Sequence, residues 1–142
     1  MIQAGVDEGA RLLVGGGKPP DLPHGYYVQP TLFTDVKPDM TIAQEEFFGP
    51  VLVVLSYDDE DDAVEIANNS IYGLSGSVWS TDEERALGVA RRMRTGTVSV
   101  NGSQWLDATR AFGGYKQSGV GRENGIEGFE EYLETKVVSL PG

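Results

Sequence analysis

Cysteine is absent from this 142-residue chain, and histidine occurs once, at His24. The first absence excludes a disulfide framework, a thiolate metal site and a cysteine nucleophile within the chain. The second removes His-pair metal sites and any catalytic pair built on a well-placed imidazole. His24 itself lies in the Pro-rich stretch Lys18-Pro-Pro-Asp-Leu-Pro-His-Gly25, which predicts an extended loop carrying an exposed imidazole. Long hydrophobic runs are missing too. No segment reaches the ~18 apolar residues of a membrane span, and no basic stretch leads into an apolar core at the N-terminus. Secretion and membrane insertion are therefore not expected, and a cytoplasmic location is. Basic residues are few, 11 against 22 acidic ones, for a formal net charge of −11 and a pI of about 4.4. A field of that sign repels phosphate backbones, so nucleic acid is not an expected partner. The one basic cluster, Arg91, Arg92 and Arg94, falls at the end of an expected helix, where the helix dipole accounts for it.

The residues that are present describe a globular α/β chain. A length of 142 residues suits one domain, and no internal repeat or linker divides it. Residues 1–10 read as the tail of a helix and residues 11–14 as a short strand. The triplet Gly15-Gly-Gly17 then breaks the pattern. Although Lys18 follows, a phosphate loop is excluded, because the positions that need Gly and Ser or Thr hold Leu12 and Pro19. Residues 26–33 are β-rich, with a Pro that argues for a sheet edge or a bend. Pro50-Val-Leu-Val-Val-Leu55 is the near-continuous apolar run of a strand buried on both faces. It leads into Asp58-Asp-Glu-Asp-Asp62, five acids that read as a solvated helix cap rather than a metal site. Residues 75–80 form a second strand, and Thr81 with Glu84 has capping-box spacing ahead of a helix striped by Ala86, Leu87, Val89, Ala90 and Met93. Gly96 stops that helix, and Thr97-Val-Ser-Val100 is a third strand. The order strand, helix, strand, helix, strand predicts parallel pairing with right-handed crossovers, hence the α/β class.

A long loop follows over residues 101–121, rich in Gly and carrying Trp105, Phe112 and Tyr115. Loops of this length without their own structure are usually functional or disordered. Its glycines do not make a dinucleotide fingerprint, since Gly119-Val-Gly121 is followed by Arg122, Glu123 and Asn124. Residues 123–133 look helical, and the chain closes on the β-rich run Thr135-Lys-Val-Val-Ser-Leu140. Beginning inside a helix and ending on an unpartnered strand, the sequence reads as a fragment.

Two stretches are specific enough to carry a family resemblance. Gln44-Glu-Glu-Phe-Phe-Gly-Pro-Val51 and Phe112-Gly-Gly-Tyr-Lys-Gln-Ser-Gly-Val-Gly-Arg-Glu123 resemble signature motifs of the NAD(P)-dependent aldehyde dehydrogenases. Gly25-Tyr-Tyr-Val-Gln-Pro-Thr31, Ala67-Asn-Asn-Ser-Ile-Tyr-Gly-Leu74 and Gly96-Thr-Val-Ser-Val-Asn101 agree in order and spacing, so the resemblance covers essentially the whole chain. It implies a three-layer-type parallel sheet with crossover helices. Residues 1–134 would be the C-terminal portion of the catalytic domain, and residues 135–142 a protruding oligomerisation strand and tail. The family's Rossmann-like cofactor domain, its cysteine nucleophile and its general-base glutamate would all precede this region. In the family a thiolate attacks the aldehyde, hydride passes to the nicotinamide, and water hydrolyses the resulting thioester. A chain without cysteine cannot form that thioester, so this chain alone is expected to be inactive.

The resemblance also assigns residues. Glu46 would accept hydrogen bonds from the hydroxyls of the nicotinamide ribose, a task suited to a carboxylate because it is an acceptor only. Read without the motif, Glu45 and Glu46 are a pair of surface acids; with it, Glu45 remains structural. Phe48 would lie against the nicotinamide, with a core phenylalanine as the alternative. Leu106 and Phe112 match the wall of the family's substrate tunnel, where an apolar lining desolvates the aldehyde. Leu106 stands where an aromatic is often found and Ala111 where Pro is frequent, which bears on substrate identity; Trp105 and Arg110 are further candidates for the tunnel. The terminal run resembles the family's intersubunit strand, so a homo-oligomer, or self-association of the free chain, is expected.

A different class of reading is a non-catalytic interaction module that assembles with full-length dehydrogenase subunits through the terminal strand. A third, new chemistry built on carboxylates, has no His-based or metal constellation behind it. Because the adenosine and pyrophosphate sites of the family lie outside this region, the chain by itself is predicted to show no saturable NAD(P) binding in calorimetry. Clear micromolar binding would contradict the fragment reading.

Overall fold

The computed structural model describes residues 1–103 and 107–142, which form two compact units, 1–69 and 70–142. Strand pairing follows the same division. In the first unit, helix α1 (Ile2–Asp7) leads through Gly9, which takes a φ of +94°, into strand β1 (Arg11–Val14). Strand β2 (Thr31–Thr34) pairs antiparallel with β1 and parallel with β3 (Val51–Val53). One turn of helix, α2 (Thr41–Gln44), lies between β2 and β3, and α3 (Glu60–Asn68) ends the unit. In the second unit, β4 (Ser75–Val78) and β5 (Thr97–Val100) pair in parallel across helix α4 (Glu83–Arg92). A short 3-10 turn (Lys116–Ser118) and helix α5 (Gly125–Glu130) follow. The β3-α3-β4-α4-β5 order is as expected, but β3 bonds back to β2 and β4 forward to β5, so each unit holds its own sheet.

The core of the first unit is Ala10, Phe33, Val36, Met40 and Ile42, with Phe47, Val51 and Val53 packed against it. Phe33 is fully buried, which is worth about 1.5–3 kcal/mol for a side chain of this kind. Gly5 allows α1 to approach this cluster, since a Cβ there would sit 2.8 Å from Ile42 Cδ1 and 3.3 Å from Phe33 Cε1. The alternation of β3 corrects the expectation of a strand buried on both faces. Val51 and Val53 turn inward, whereas Leu52 is 63% exposed. One face of this sheet meets the core, and among the described residues no layer covers Leu52.

The starts of α3 and α4 are set by aspartates. Asp59 caps α3 by accepting from the Asp62 amide at 2.9 Å, and the Asp62 carboxylate accepts from the Asp58 amide at 2.9 Å. The acid run is thus a cap, as expected, and among the described residues no group of His, Asp and Glu could hold a metal ion. At α4 the capping residue is Asp82, accepting from the Arg85 amide at 3.0 Å. The Thr81–Glu84 capping box is therefore corrected by one residue: carboxylate acceptors fit this position well, and Asp82 is already in extended backbone. Arg91 and Arg92 occupy the last turn of α4, where the dipole favours them. Residues 135–140 form no strand, and residues 134–142 are exposed. Among the described residues no helix is long and apolar enough to cross a membrane. Loss of the α4 cap through Asp82→Ala is predicted to destabilise the chain by about 1 kcal/mol in urea unfolding. Thr81→Ala should change stability far less, and equal losses would restore the capping box.

Candidate functional site

The loop over residues 45–50 is anchored at both ends before it carries any function. Ahead of it, the Thr41 amide and hydroxyl both donate to the Glu8 carboxylate, holding the start of α2. The Gln44 side-chain amide donates to the Pro38 carbonyl at 2.6 Å and to the Asn69 carbonyl at 2.9 Å. Beyond it, the Thr31 amide donates to the Pro50 carbonyl at 2.9 Å, at the head of the parallel β2–β3 ladder. Phe47 is packed against the core cluster. Phe48 is consequently turned outward: it is 94% exposed and its φ is +48°. A non-glycine residue in left-handed backbone costs on the order of 1–3 kcal/mol and persists only where its neighbours determine it. Phe47 and Pro50 are those neighbours. Of the two phenylalanines, Phe47 is the one packed against the core and Phe48 the one exposed.

Glu46 is exposed on the same loop, two residues before Phe48. Its carboxylate is open to solvent as an acceptor, and the Phe48 ring offers an uncovered aromatic face. Phe48 also lines an open concavity of about 650 Å³ with Gly16, Tyr26, Val28, Phe47 and Pro50.

A second arrangement lies in the other unit. Phe112 is half-buried and exchanges two backbone hydrogen bonds with Glu123, each 2.7 Å. The residues between them are clipped to the start of β4. The Gly73 carbonyl accepts from the Gly96 and Tyr115 amides at 3.0 and 2.8 Å, and the Gly73 amide donates to the Ser118 hydroxyl at 2.9 Å. Lys116 Nζ donates to the Ser70 carbonyl. The approach is closest at Gly96, where a Cβ would lie 1.6 Å from the Gly113 carbonyl oxygen. Arg122 donates to the Gly114 and Gly121 carbonyls and sits 5.4 Å over the Tyr115 ring. A concavity of about 460 Å³ results, lined by Leu74, Phe112, Ser118, Arg122, Glu131 and Tyr132.

Of the residues singled out from the sequence, Glu46 and Phe48 thus share one loop and Phe112 lines a concavity in the other unit. Leu106 and Trp105 lie outside the described residues. Arg110 is directed to solvent and pairs with Asp107 at 3.2 Å. His24 is exposed in its Pro-rich loop, as expected. Sequence reasoning missed Thr31, Gly16 and Ser118. The glycine triplet and the hydroxyl after Pro30 were the available signals, but neither shows its partner until distant segments meet.

These features define two α/β units, each with a parallel strand pair, the first bearing an exposed acid and an exposed aromatic on one loop. Comparison with known proteins then gives the family. Residues 1–138 match the model of the aldehyde dehydrogenase family. The chain is 56% identical over 138 residues to 3-succinoylsemialdehyde-pyridine dehydrogenase of a Pseudomonas species, covering 96% of this chain and 29% of that protein. It is 48% identical over 139 residues to betaine aldehyde dehydrogenase of Bacillus subtilis, covering 96% of this chain and 28% of that protein. Among solved structures, the Mycobacterium tuberculosis aldehyde dehydrogenase in complex with NAD+ superposes with a TM-score of 0.92 at 53% identity, over 99% of this chain and 29% of that one. The chain belongs to the aldehyde dehydrogenase family, and it spans about 29% of the length of the relatives it matches.

One titrating group of the long loop is perturbed. The Asp107 carboxyl is held below its ordinary value, first by the Thr109 hydroxyl at 2.7 Å, then by the Thr109 amide at 2.9 Å, with a smaller contribution from Arg110. A depressed folded value means that this contact supports the loop above the ordinary carboxylate pKa and is lost as pH falls through the folded one. Thr109→Val is predicted to move the Asp107 titration, followed by carboxyl chemical shift, back towards the unperturbed value. An unchanged titration would assign the shift elsewhere.

Proposed function

We propose that this chain is the C-terminal portion of the catalytic domain of an NAD(P)-dependent aldehyde dehydrogenase. The whole enzyme would convert an aldehyde, NAD(P)+ and water to a carboxylic acid and NAD(P)H. Residues 1–134 would belong to the catalytic domain, and residues 135–142 would be the oligomerisation strand and tail. The carrying observation is the loop over residues 45–50, which presents Glu46 and an outward, left-handed Phe48 on anchored backbone. Glu46 holds the nicotinamide ribose by accepting its hydroxyl protons, and Phe48 lies against the ring and excludes water from one face. Phe112 and Leu106 shape the aldehyde tunnel. Relatives that bind NAD+, and one structure holding both NAD+ and octanal at 51% identity, support this assignment of cofactor and substrate class.

The chain alone is inactive on this reading, because it contains no cysteine to carry the acyl group. Its dinucleotide contacts are likewise too few for tight binding. The enzyme is a homo-oligomer in the cytoplasm. Support for a pairing role of the terminus comes from Val137, Val138 and Leu140, which are 84%, 76% and 85% exposed. Apolar side chains on a backbone without ladder partners suit addition to another subunit's sheet edge.

Two measurements test the reading. An antibody to this segment should detect, in source-cell extract, a band several-fold heavier than 15.3 kDa; a band at that mass would favour an assembly module instead. In the full-length enzyme, Glu46→Gln should raise KM for the dinucleotide about tenfold, the value of one lost charge-assisted hydrogen bond. Glu45→Gln should leave KM unchanged, and indistinguishable effects of the two would remove Glu46 from the site.

A further inference from the structure

The glycine triplet is left over by the family reading: it carries no phosphate-loop pattern, and none of the residues assigned above comes from it. In the fold it is nonetheless built into the concavity that Phe48 lines, through Gly16. The group that puts it there is Thr31, which is buried, with 4% of its surface exposed. Its hydroxyl uses both of its capacities. It accepts from the Gly16 amide at 2.9 Å and donates to the Gln29 carbonyl at 2.7 Å. Its amide makes the 2.9 Å bond to the Pro50 carbonyl. One residue therefore joins the turn after β1, the segment leading into β2 and the end of the Phe48 loop. Gly15, at φ +73°, permits the closeness of the turn, since a Cβ there would lie 2.1 Å from the Pro30 carbonyl oxygen.

We propose that Thr31 is a positioning residue: its hydroxyl fixes the turn over residues 15–17 as a second wall of the concavity that Phe48 lines, so that a planar ring on Phe48 meets a rigid edge. The inference rests on the reading that Phe48 faces the nicotinamide. The geometry behind it is separate. A buried hydroxyl with a donor on one side and an acceptor on the other leaves two backbone groups unsatisfied when it is removed, at a cost larger than the mean value of the bonds themselves. Valine preserves the shape of Thr31 and its amide bond to Pro50, so Thr31→Val loosens the turn at Gly16, which keeps the 2.9 Å bond from the Gln29 amide to the Gly17 carbonyl, and leaves the Phe48 loop attached.

The test uses the full-length enzyme with Thr31→Val, Thr31→Ser and Gly15→Ala, the last displacing the turn by a Cβ that would meet the Pro30 carbonyl oxygen at 2.1 Å and the Thr31 hydroxyl at 2.8 Å. In Thr31→Val the Gly16 amide should exchange with solvent faster than in the wild type, while Phe33 and Ile42 amides keep their protection. KM for NAD+ should rise about five- to tenfold with KM for the aldehyde unchanged. Thr31→Ser should restore both properties, and Gly15→Ala should reproduce the rise in KM. Exchange rising alike throughout residues 1–69 would reduce Thr31 to general stability and overturn the proposal. Faster Gly16 exchange with an unchanged KM for NAD+ would also overturn it, since the turn would then have no part at the ring. Should Thr31→Val fail to fold, a normal KM for NAD+ in Gly15→Ala would overturn the proposal in its place. A wild-type enzyme that oxidises no aldehyde would defeat the functional reading and the ring-holding role, while the exchange result would still decide whether Thr31 anchors the turn.

Discussion

The parallel register of β2 on β3 is the constraint from which the candidate site follows. Pairing Thr31 with Val51 puts the Thr31 amide against the Pro50 carbonyl and sends Val51 and Val53 inward beside Phe33. With Pro50 held there and Phe47 already in the core, Phe48 has no inward place left. Its side chain is exposed and its backbone left-handed as a consequence of packing on both sides. The cost of that backbone is offset by the burial of its neighbours.

The second unit reaches a similar end by different means. Here glycine supplies proximity where hydroxyls and strands supply it in the first. Gly96 lets the Gly113 carbonyl approach to a distance that any side chain would prevent, and Gly73 gathers two amides on its carbonyl and the Ser118 hydroxyl on its amide. The segment carrying Phe112 is held by backbone bonds to Gly73 and Glu123 and by the side chains of Lys116, Ser118 and Arg122.

Much of the fold was legible in local pattern. The limits of β1 and β5 and the basic last turn of α4 follow from turn residues, apolar alternation and charge placement, all of which act within a few positions. The errors were also local and instructive. Asp82 rather than Thr81 caps α4 because two good capping residues stand side by side and backbone conformation chooses between them. The run over residues 50–55 reads as doubly buried because apolar composition does not record which face has a partner, and Leu52 is left facing outward. Division into two units was not visible either, since nothing in the composition around Asn69 distinguishes strands that pair backwards from strands that pair forwards.

Motif and composition by themselves determined the family, the candidate pair Glu46 and Phe48, and the absence from this chain of a thiol that could carry an acyl group. They could do so because these properties depend on residue identity and order. Tertiary structure alone decided that Phe47 goes inward and Phe48 outward, that Thr31 satisfies Gly16 and Gln29 from a buried position, and that Ser118 reaches Gly73 across 45 residues of chain. Those outcomes turn on which backbone groups meet once the strands are paired. Hydrogen-bond partners distant in sequence leave no local trace, because each residue's own propensities are satisfied equally well with or without them.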